Sequence, residues 1–175
     1  MMVLGRSIIQ FSWIVEDLEK AAQRWHATCG VGPFLVNRHI AITDPRHRGR
    51  PQVTDFSTAI AQAGLVQIEL VQQHDDSPSA YRDTVPAGRE ALHHIAVLTE
   101  DFDATVACYA AKGYEVASDG IFGAVRFCYI DTSAALGHMV EVLEDKPMIQ
   151  RFFGAIRRAA EKWDGNSETL LRELG

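Results

Sequence analysis

Two glutamates stand inside otherwise apolar runs: Glu69 in Val66-Gln67-Ile68-Glu69-Leu70-Val71 and Glu141 in Met139-Val140-Glu141-Val142-Leu143. A carboxylate buried without a partner costs several kcal/mol, or its pKa rises until it is neutral. Each therefore needs a partner. Gln10 and His94 occupy two further apolar runs, Gln10-Phe11-Ser12-Trp13-Ile14-Val15 and His94-Ile95-Ala96-Val97-Leu98. One Gln, one His and two Glu supply oxygen and nitrogen donors suited to a Zn, Ni, Co or Mn ion, with positions left open for water or substrate. Taken singly, a strand glutamate is more often solvated or salt-bridged, and a lone histidine is usually a hydrogen-bonded core residue. The case for a shared centre rests on where the chain puts them.

That placement follows from an internal repeat. Residues 10–17 end an apolar strand in Glu-Asp, and residues 94–101, offset by 84, do the same. Asp17 and Asp101 then stand as N-caps before helical patterns, Leu18, Ala21, Ala22 and Trp25 in the first copy and Phe102, Thr105, Val106 and Tyr109 in the second. Gly30 with Gly32, and Gly113, are placed to end these helices. Three β-like runs follow each helix, around 34–40, 54–61 and 66–72, then 114–118, 124–130 and 139–143. Each copy reads βαβββ, with modules of about 7–73 and 91–144 joined by a polar connector, 74–90, inside a unit spanning 1–145. The first copy is 12 residues longer between Gln10 and Glu69 than the second is between His94 and Glu141, an excess assigned to a turn-rich loop at 43–52. Residues 146–175 form an extension: an amphipathic helix from Pro147, with Ile149, Phe152, Phe153, Ile156, Ala160 and Trp163 on one side, and then a short helical run holding Leu170, Leu171 and Leu174.

Strand residues two apart share a face. Gln10, Ser12 and Ile14 therefore share one, as do His94, Ala96 and Leu98, Gln67 and Glu69, and Met139 and Glu141. Gln10 and His94 are repeat equivalents, as are Glu69 and Glu141. Parity turns His93 and His138 to the opposite side. The predicted fold class is α+β: two tandem βαβββ modules in a curved mixed sheet around a cavity, with a C-terminal helical extension.

Composition narrows the function. Of 175 residues, 47% are hydrophobic and 23% charged, which supports a sizeable core and excludes disordered and low-complexity classes. A net charge of -6 argues against nucleic acid and anionic membranes as partners. Cys29, Cys108 and Cys128 form no CxxC pair, so neither a disulfide framework nor a zinc knuckle is indicated. With no apolar run of about 18 residues and no signal-peptide pattern in residues 1–10, a cytoplasmic location is expected.

The segments Val15-Glu16-Asp17-Leu18, Ile68-Glu69-Leu70, Leu92-His93-His94-Ile95-Ala96-Val97 and Gly137-His138-Met139-Val140-Glu141 resemble the vicinal oxygen chelate superfamily. That group includes glyoxalase, methylmalonyl-CoA epimerase, bleomycin-resistance proteins and extradiol dioxygenases, and the resemblance covers about residues 7–144. It implies paired βαβββ modules with a metal in the cavity, ligated from the first and last strand of each module: Gln10, Glu69, His94 and Glu141. A single His at these positions departs from the two-His, one-carboxylate iron set of the dioxygenases. The ligand set is similar to zinc-type glyoxalases, whereas strand wording and linker look closer to the epimerases, which more often present His, Gln, His and Glu. Both branches imply a metal-dependent isomerase, epimerase or lyase, acting on a 2-oxo compound or a CoA or glutathione thioester. The metal polarises a carbonyl and stabilises an enediolate while a carboxylate moves the neighbouring proton. Glu141 or Glu69 is the base in a glyoxalase-like version, and Asp55 in an epimerase-like one unless it is simply a residue at the start of a strand. The alternative is a metal-free protein binding a small molecule in the bleomycin-resistance manner.

Three further arginines, Arg46, Arg48 and Arg50, make a basic loop that either holds an anionic substrate tail or is a solvated turn. Tyr81 and Arg82 are candidates to cover the cavity mouth. A homodimer is expected, and whether the modules pair within one chain or across two is left open by the sequence.

Overall fold

A computed structural model describes residues 7–174; residues 1–6 of the expected first unit and Gly175 lie outside the described residues. The first module runs β1 (Ile8–Ile14), α1 (Leu18–Cys29), β2 (Phe34–Asn37), β3 (Thr43–His47), β4 (Arg50–Pro51), β5 (Phe56–Ala63) and β6 (Val66–Gln73). After α2 (Ala80–Thr84), the second module runs β7 (Ala91–Thr99), α3 (Phe102–Ala110), β8 (Val116–Phe122), β9 (Val125–Ile130), α4 (Ser133–Leu136) and β10 (Met139–Glu144). The chain then forms α5 (Pro147–Glu161), a 3-10 turn (Ser167–Thr169) and β11 (Leu171–Glu173).

The caps behave as their side chains dictate. Asp17 accepts from the Lys20 N–H and Asp101 from the Ala104 N–H, satisfying donors that the first turn leaves free. Gly30, in the left-handed region at φ 69°, ends α1. Leu18, Ala21 and Ala22 then pack on Ile68 and Leu70, while Phe102, Val106 and Tyr109 of α3 pack on Val140 and Val142. Each helix thus covers one face of its own half-sheet and leaves the other face to enclose a cavity.

One 11-stranded sheet runs β11-β2-β5-β6-β1-β7-β10-β9-β8-β3-β4. The first strands of the two modules, β1 and β7, pair antiparallel at its centre, so the modules join within one chain. Two sequence expectations need correction. The stretch 43–52 is not simply a loop: it contains β3 and β4, and β3 pairs with β8 at the edge of the other module. Residues 38–42 therefore cross from one arm of the sheet to the other. The run after Trp163 is not a second helix, because Leu171–Glu173 pairs parallel with β2. A Cβ on Gly32 would lie 2.6 Å from the Trp163 ring and 2.8 Å from Leu170, so only glycine lets this tail approach the start of β2. The tail's strand is set by that docking rather than by its own pattern.

Ile149, Phe153 and Ile156 of α5 pack with Leu35, Ile60, Ala96 and Leu143. Ile60 is cross-strand partner to Glu69, and Leu143 lies two residues from Glu141, so α5 sits on the cavity side of the sheet. No helix among the described residues is long and apolar enough to cross a membrane.

Candidate metal centre

The four central strands carry the site in two adjacent rows. In one, Glu69 of β6, Ser12 of β1, His94 of β7 and Met139 of β10 are successive cross-strand neighbours. In the other, Gln67, Gln10, Ala96 and Glu141 are. The predicted ligands therefore lie on one face, two from each row. All four are buried, and Gln10, Glu69 and Glu141 line a cavity of about 80 Å3. Its other walls are mainly apolar, among them Ile40, Ile42, Phe56 and Phe127 from the modules and Phe152 and Phe153 from α5.

The electrostatics centre on His94. Its Nε2 is 3.3 Å from Glu69 Oε2 and 3.4 Å from Glu141 Oε2, yet makes no aligned hydrogen bond. Glu141 has its pKa raised, by burial first and by Glu69 in addition, while His94 and the Tyr129 hydroxyl oppose the rise. Gln10 donates from Nε2 to Gln67 Oε1 at 3.1 Å, which leaves its amide oxygen as the end free for an ion.

His93 decides which form of His94 faces the carboxylates. Its Nε2 lies 2.8 Å from the Ala80 carbonyl, an acceptor only, so Nε2 carries the proton. Burial first, and then the charge of His94, push the His93 pKa down to about 3, so the ring is neutral and its Nδ1 must accept. The donor to it is His94 Nδ1, at 2.8 Å. Neutral His94 consequently presents an Nε2 lone pair to two carboxylates, an arrangement that calls for a cation between them. A proton can serve: burial lowers the His94 pKa, but Glu141 and Glu69 outweigh it and bring it up to about 9. A divalent ion would serve as well, with the Gln10 amide oxygen as one further donor. The orphaned Nε2, the paired carboxylates and the free Gln10 oxygen are the donor set that Zn, Ni, Co or Mn accepts.

Sequence parity misplaced His93. Ser12 pairs with His94 and Trp13 with Leu92, so His93 is the extra residue of a β-bulge. The bulge brings it to the cavity side, its ring 5.2 Å from that of Tyr81 and 5.4 Å from that of Tyr129. Tyr129 was also missed, although Val125, Phe127 and Tyr129 share a face of β9. Its hydroxyl is 3.1 Å from that of Tyr81, and both phenols line the cavity with pKa values raised by burial.

The remaining candidates fall elsewhere. Tyr81 lines the cavity wall, whereas Asp55 does not line it: Asp55 precedes β5 on the rim and its Oδ1 contacts His39 Nδ1 at 2.7 Å. Arg46 is engaged by Asp119, and Arg48 by Asp83 and Asp131. These ion pairs tie the inserted hairpin to the second module; neither arginine lines the cavity beside Glu69 and Glu141, but Arg46 lines an adjoining one of about 220 Å3 that shares Ile40, Ile42, Phe56, Tyr81, Phe127 and Tyr129 with it. Arg50 is exposed on β4 and lines neither. Arg82, on α2, has Nε and Nη1 buried without an acceptor and does not line the cavity.

The family profile of the glyoxalase/bleomycin resistance protein/dioxygenase superfamily matches residues 9–129. The chain belongs to that superfamily. Among curated proteins no sequence matches it. Solved structures share the superfamily fold at low identity. Methylmalonyl-CoA epimerase from Mycobacterium tuberculosis is 16% identical with a TM-score of 0.54, covering 86% of this chain and 97% of its own. A methylmalonyl-CoA epimerase in complex with methylmalonyl-CoA and NH4+ is 17% identical with a TM-score of 0.52, covering 81% and 96%. A hypothetical protein from Bacillus halodurans is 13% identical with a TM-score of 0.59, covering 81% and 96%.

Proposed function

We propose that the chain is a metal-dependent isomerase, epimerase or lyase that moves a proton next to a carbonyl. The observation carrying this reading is the buried His94 Nε2, unsatisfied between Glu69 and Glu141, which line an apolar cavity. Gln10, Glu69, His94 and Glu141 would hold the ion. When bound, a divalent metal supplies a Lewis acid that polarises the substrate carbonyl and makes the neighbouring C–H more acidic.

The chain's own groups would do the rest. Glu141 or its repeat equivalent Glu69 takes the proton onto a carboxylate oxygen, the C–H electron pair moves toward the carbonyl carbon, and charge develops on the carbonyl oxygen. Return of the proton to the adjacent carbon gives isomerisation, and return to the opposite face gives epimerisation. A carboxylate whose pKa is raised by burial is a stronger base at neutral pH than a solvated one. The apolar walls from Phe56, Phe127, Phe152 and Phe153 keep water from competing for the reactive carbon.

The cavity volume beside the glutamates is about half of the roughly 150 Å3 that holds benzene in an engineered cavity. It suits a small 2-oxo or acyl head, with any thioester carrier lying outside. Binding of methylmalonyl-CoA by an epimerase of the same fold supports an acyl thioester as one substrate class. A second reading, metal-free binding of a small molecule, is favoured by the predominantly apolar lining. Homodimer formation belongs to the proposal too, and sedimentation would show it as a doubling of the 19.4 kDa chain mass.

Solvent-deuterium exchange separates the readings. Zinc- or cobalt-loaded protein should exchange the carbon-bound proton of an acyl-CoA or of a glutathione hemithioacetal, and Glu141→Gln should abolish the exchange. Stoichiometric ligand binding without exchange in any of these would replace the enzyme reading by the binding one.

A further inference from the structure

A second group of donor side chains lies on the rim, outside the cavity. His39 follows β2, Asp55 precedes β5 and His74 follows β6, and these three strands are neighbours in the sheet. Their ends bring the side chains together, each offering one ligand atom within 4.8 Å of the others. Atoms bound to a single zinc-like ion at about 2.0–2.2 Å are at most about 4.4 Å apart. A few tenths of an ångström of side-chain movement closes the difference.

Apart from the contacts of His39 with Asp55 and His74, the arrangement is held by bonds that do not depend on the three side chains facing one another. His39 has its backbone at φ 46°, a left-handed conformation that histidine adopts more readily than bulkier residues. Its N–H donates to the buried Ser57 Oγ at 2.9 Å, and the same oxygen is 2.7 Å from His74 Nε2. The His74 N–H donates to the Asp55 carbonyl at 2.8 Å, and the Asp55 N–H to Asp75 Oδ2 at 3.0 Å. The two imidazoles lie 4.6 Å apart between centroids, with His39 Nδ1 at 2.7 Å from Asp55 Oδ1. A hydrogen bond at the second ring nitrogen, here between Ser57 and His74, is how proteins orient histidine ligands.

We propose that His39, Asp55 and His74 form a second, surface metal site for a borderline divalent ion such as Zn2+ or Ni2+. Two imidazoles and one carboxylate favour these ions over Mg2+ and Ca2+, which prefer all-oxygen shells. Coordination positions remain open toward solvent, since His39 and His74 are exposed. The site would also fasten the crossing segment 38–42 to β5 and β6. Ile40 and Ile42 of that segment line the cavity, so an ion on the rim stiffens one cavity wall without entering it. The proposal stands independently of the cavity centre and of any activity.

Equilibrium dialysis of the full chain against Zn2+ tests it. The wild type should hold two ions. His74→Ala and His39→Asn, the latter chosen because asparagine tolerates a left-handed backbone, should each remove one, and Glu141→Gln should remove the other. Amide exchange in residues 38–42 should slow when Zn2+ is added to Glu141→Gln. A single ion lost only in Glu141→Gln would overturn the rim site, as would two ions undisturbed by His74→Ala. A single ion lost only in the two histidine variants would uphold the rim site and refute the cavity centre.

Discussion

His93→Leu separates what this residue does for the fold from what it does for metal. The substitution leaves the Ala80 carbonyl without its donor and the His94 Nδ1–H without its acceptor, both at 2.8 Å in the wild type. Each orphaned buried group costs about 1–3 kcal/mol, so the apo protein should lose roughly 2–6 kcal/mol in urea unfolding. Freed from Nδ1, the His94 proton can move to Nε2 and occupy the gap between Glu69 and Glu141 that an ion would fill. Loss of such an outer partner weakens metal binding by about 10–100-fold. His93→Asn keeps an acceptor near the Nδ1 position but cannot reach Ala80, so it should lose stability while holding metal more tightly than His93→Leu. Competition against a chromophoric chelator, done in the His74→Ala chain to silence the rim, reads the affinity. Equal affinity in wild type and His93→Leu, or equal loss in Asn and Leu, would refute the tautomer argument.

Phe153→Ala removes a buried ring between α5 and the sheet, so a loss of about 3–5 kcal/mol is expected by urea unfolding. The same variant should admit bulkier carbonyl ligands to the cavity, seen as tighter binding of a branched acyl thioester than in wild type. On the acid side, the Lys20 N–H holds the Asp17 pKa below 3.8, and Arg126 holds that of Glu144 below 4.5. A carboxylate depressed in the folded state contributes stability that is complete above its unfolded value and lost as pH falls through its folded one. Thermal midpoints should therefore begin to fall below about pH 4.5, and Glu144→Gln should flatten part of that fall.

Much of this was legible because duplication doubles each signal. Gln10 and His94, and Glu69 and Glu141, were recognisable as pairs through a constant offset and strand parity, and the register puts them in two adjacent rows on one face. Parity fails where the strand is irregular. A bulge at His93 has no local signature in Leu92-His93-His94-Ile95, so the residue that sets the His94 tautomer was assigned to the wrong side. Asp55 shows another limit: a carboxylate at the start of a strand looks the same whether it faces inward or caps the rim, and its partners His39 and His74 come from chain ends that only the sheet order brings together. β3 and β11 owe their pairing to distant edges, β8 and β2, so no pattern within their own few residues could announce them.

His94, Glu69, Glu141 and Gln10 are proposed to hold one divalent ion. Elemental analysis of the His74→Ala chain, purified without chelators, isolates that site. About one divalent ion per chain is predicted there, and Glu69→Ala or Glu141→Ala added to the same background should bring it near zero. A chain free of divalent metal that also fails to take up Zn2+, Ni2+, Co2+ or Mn2+ on reconstitution, or a metal content indifferent to both glutamates, would rule out a metal at these four residues.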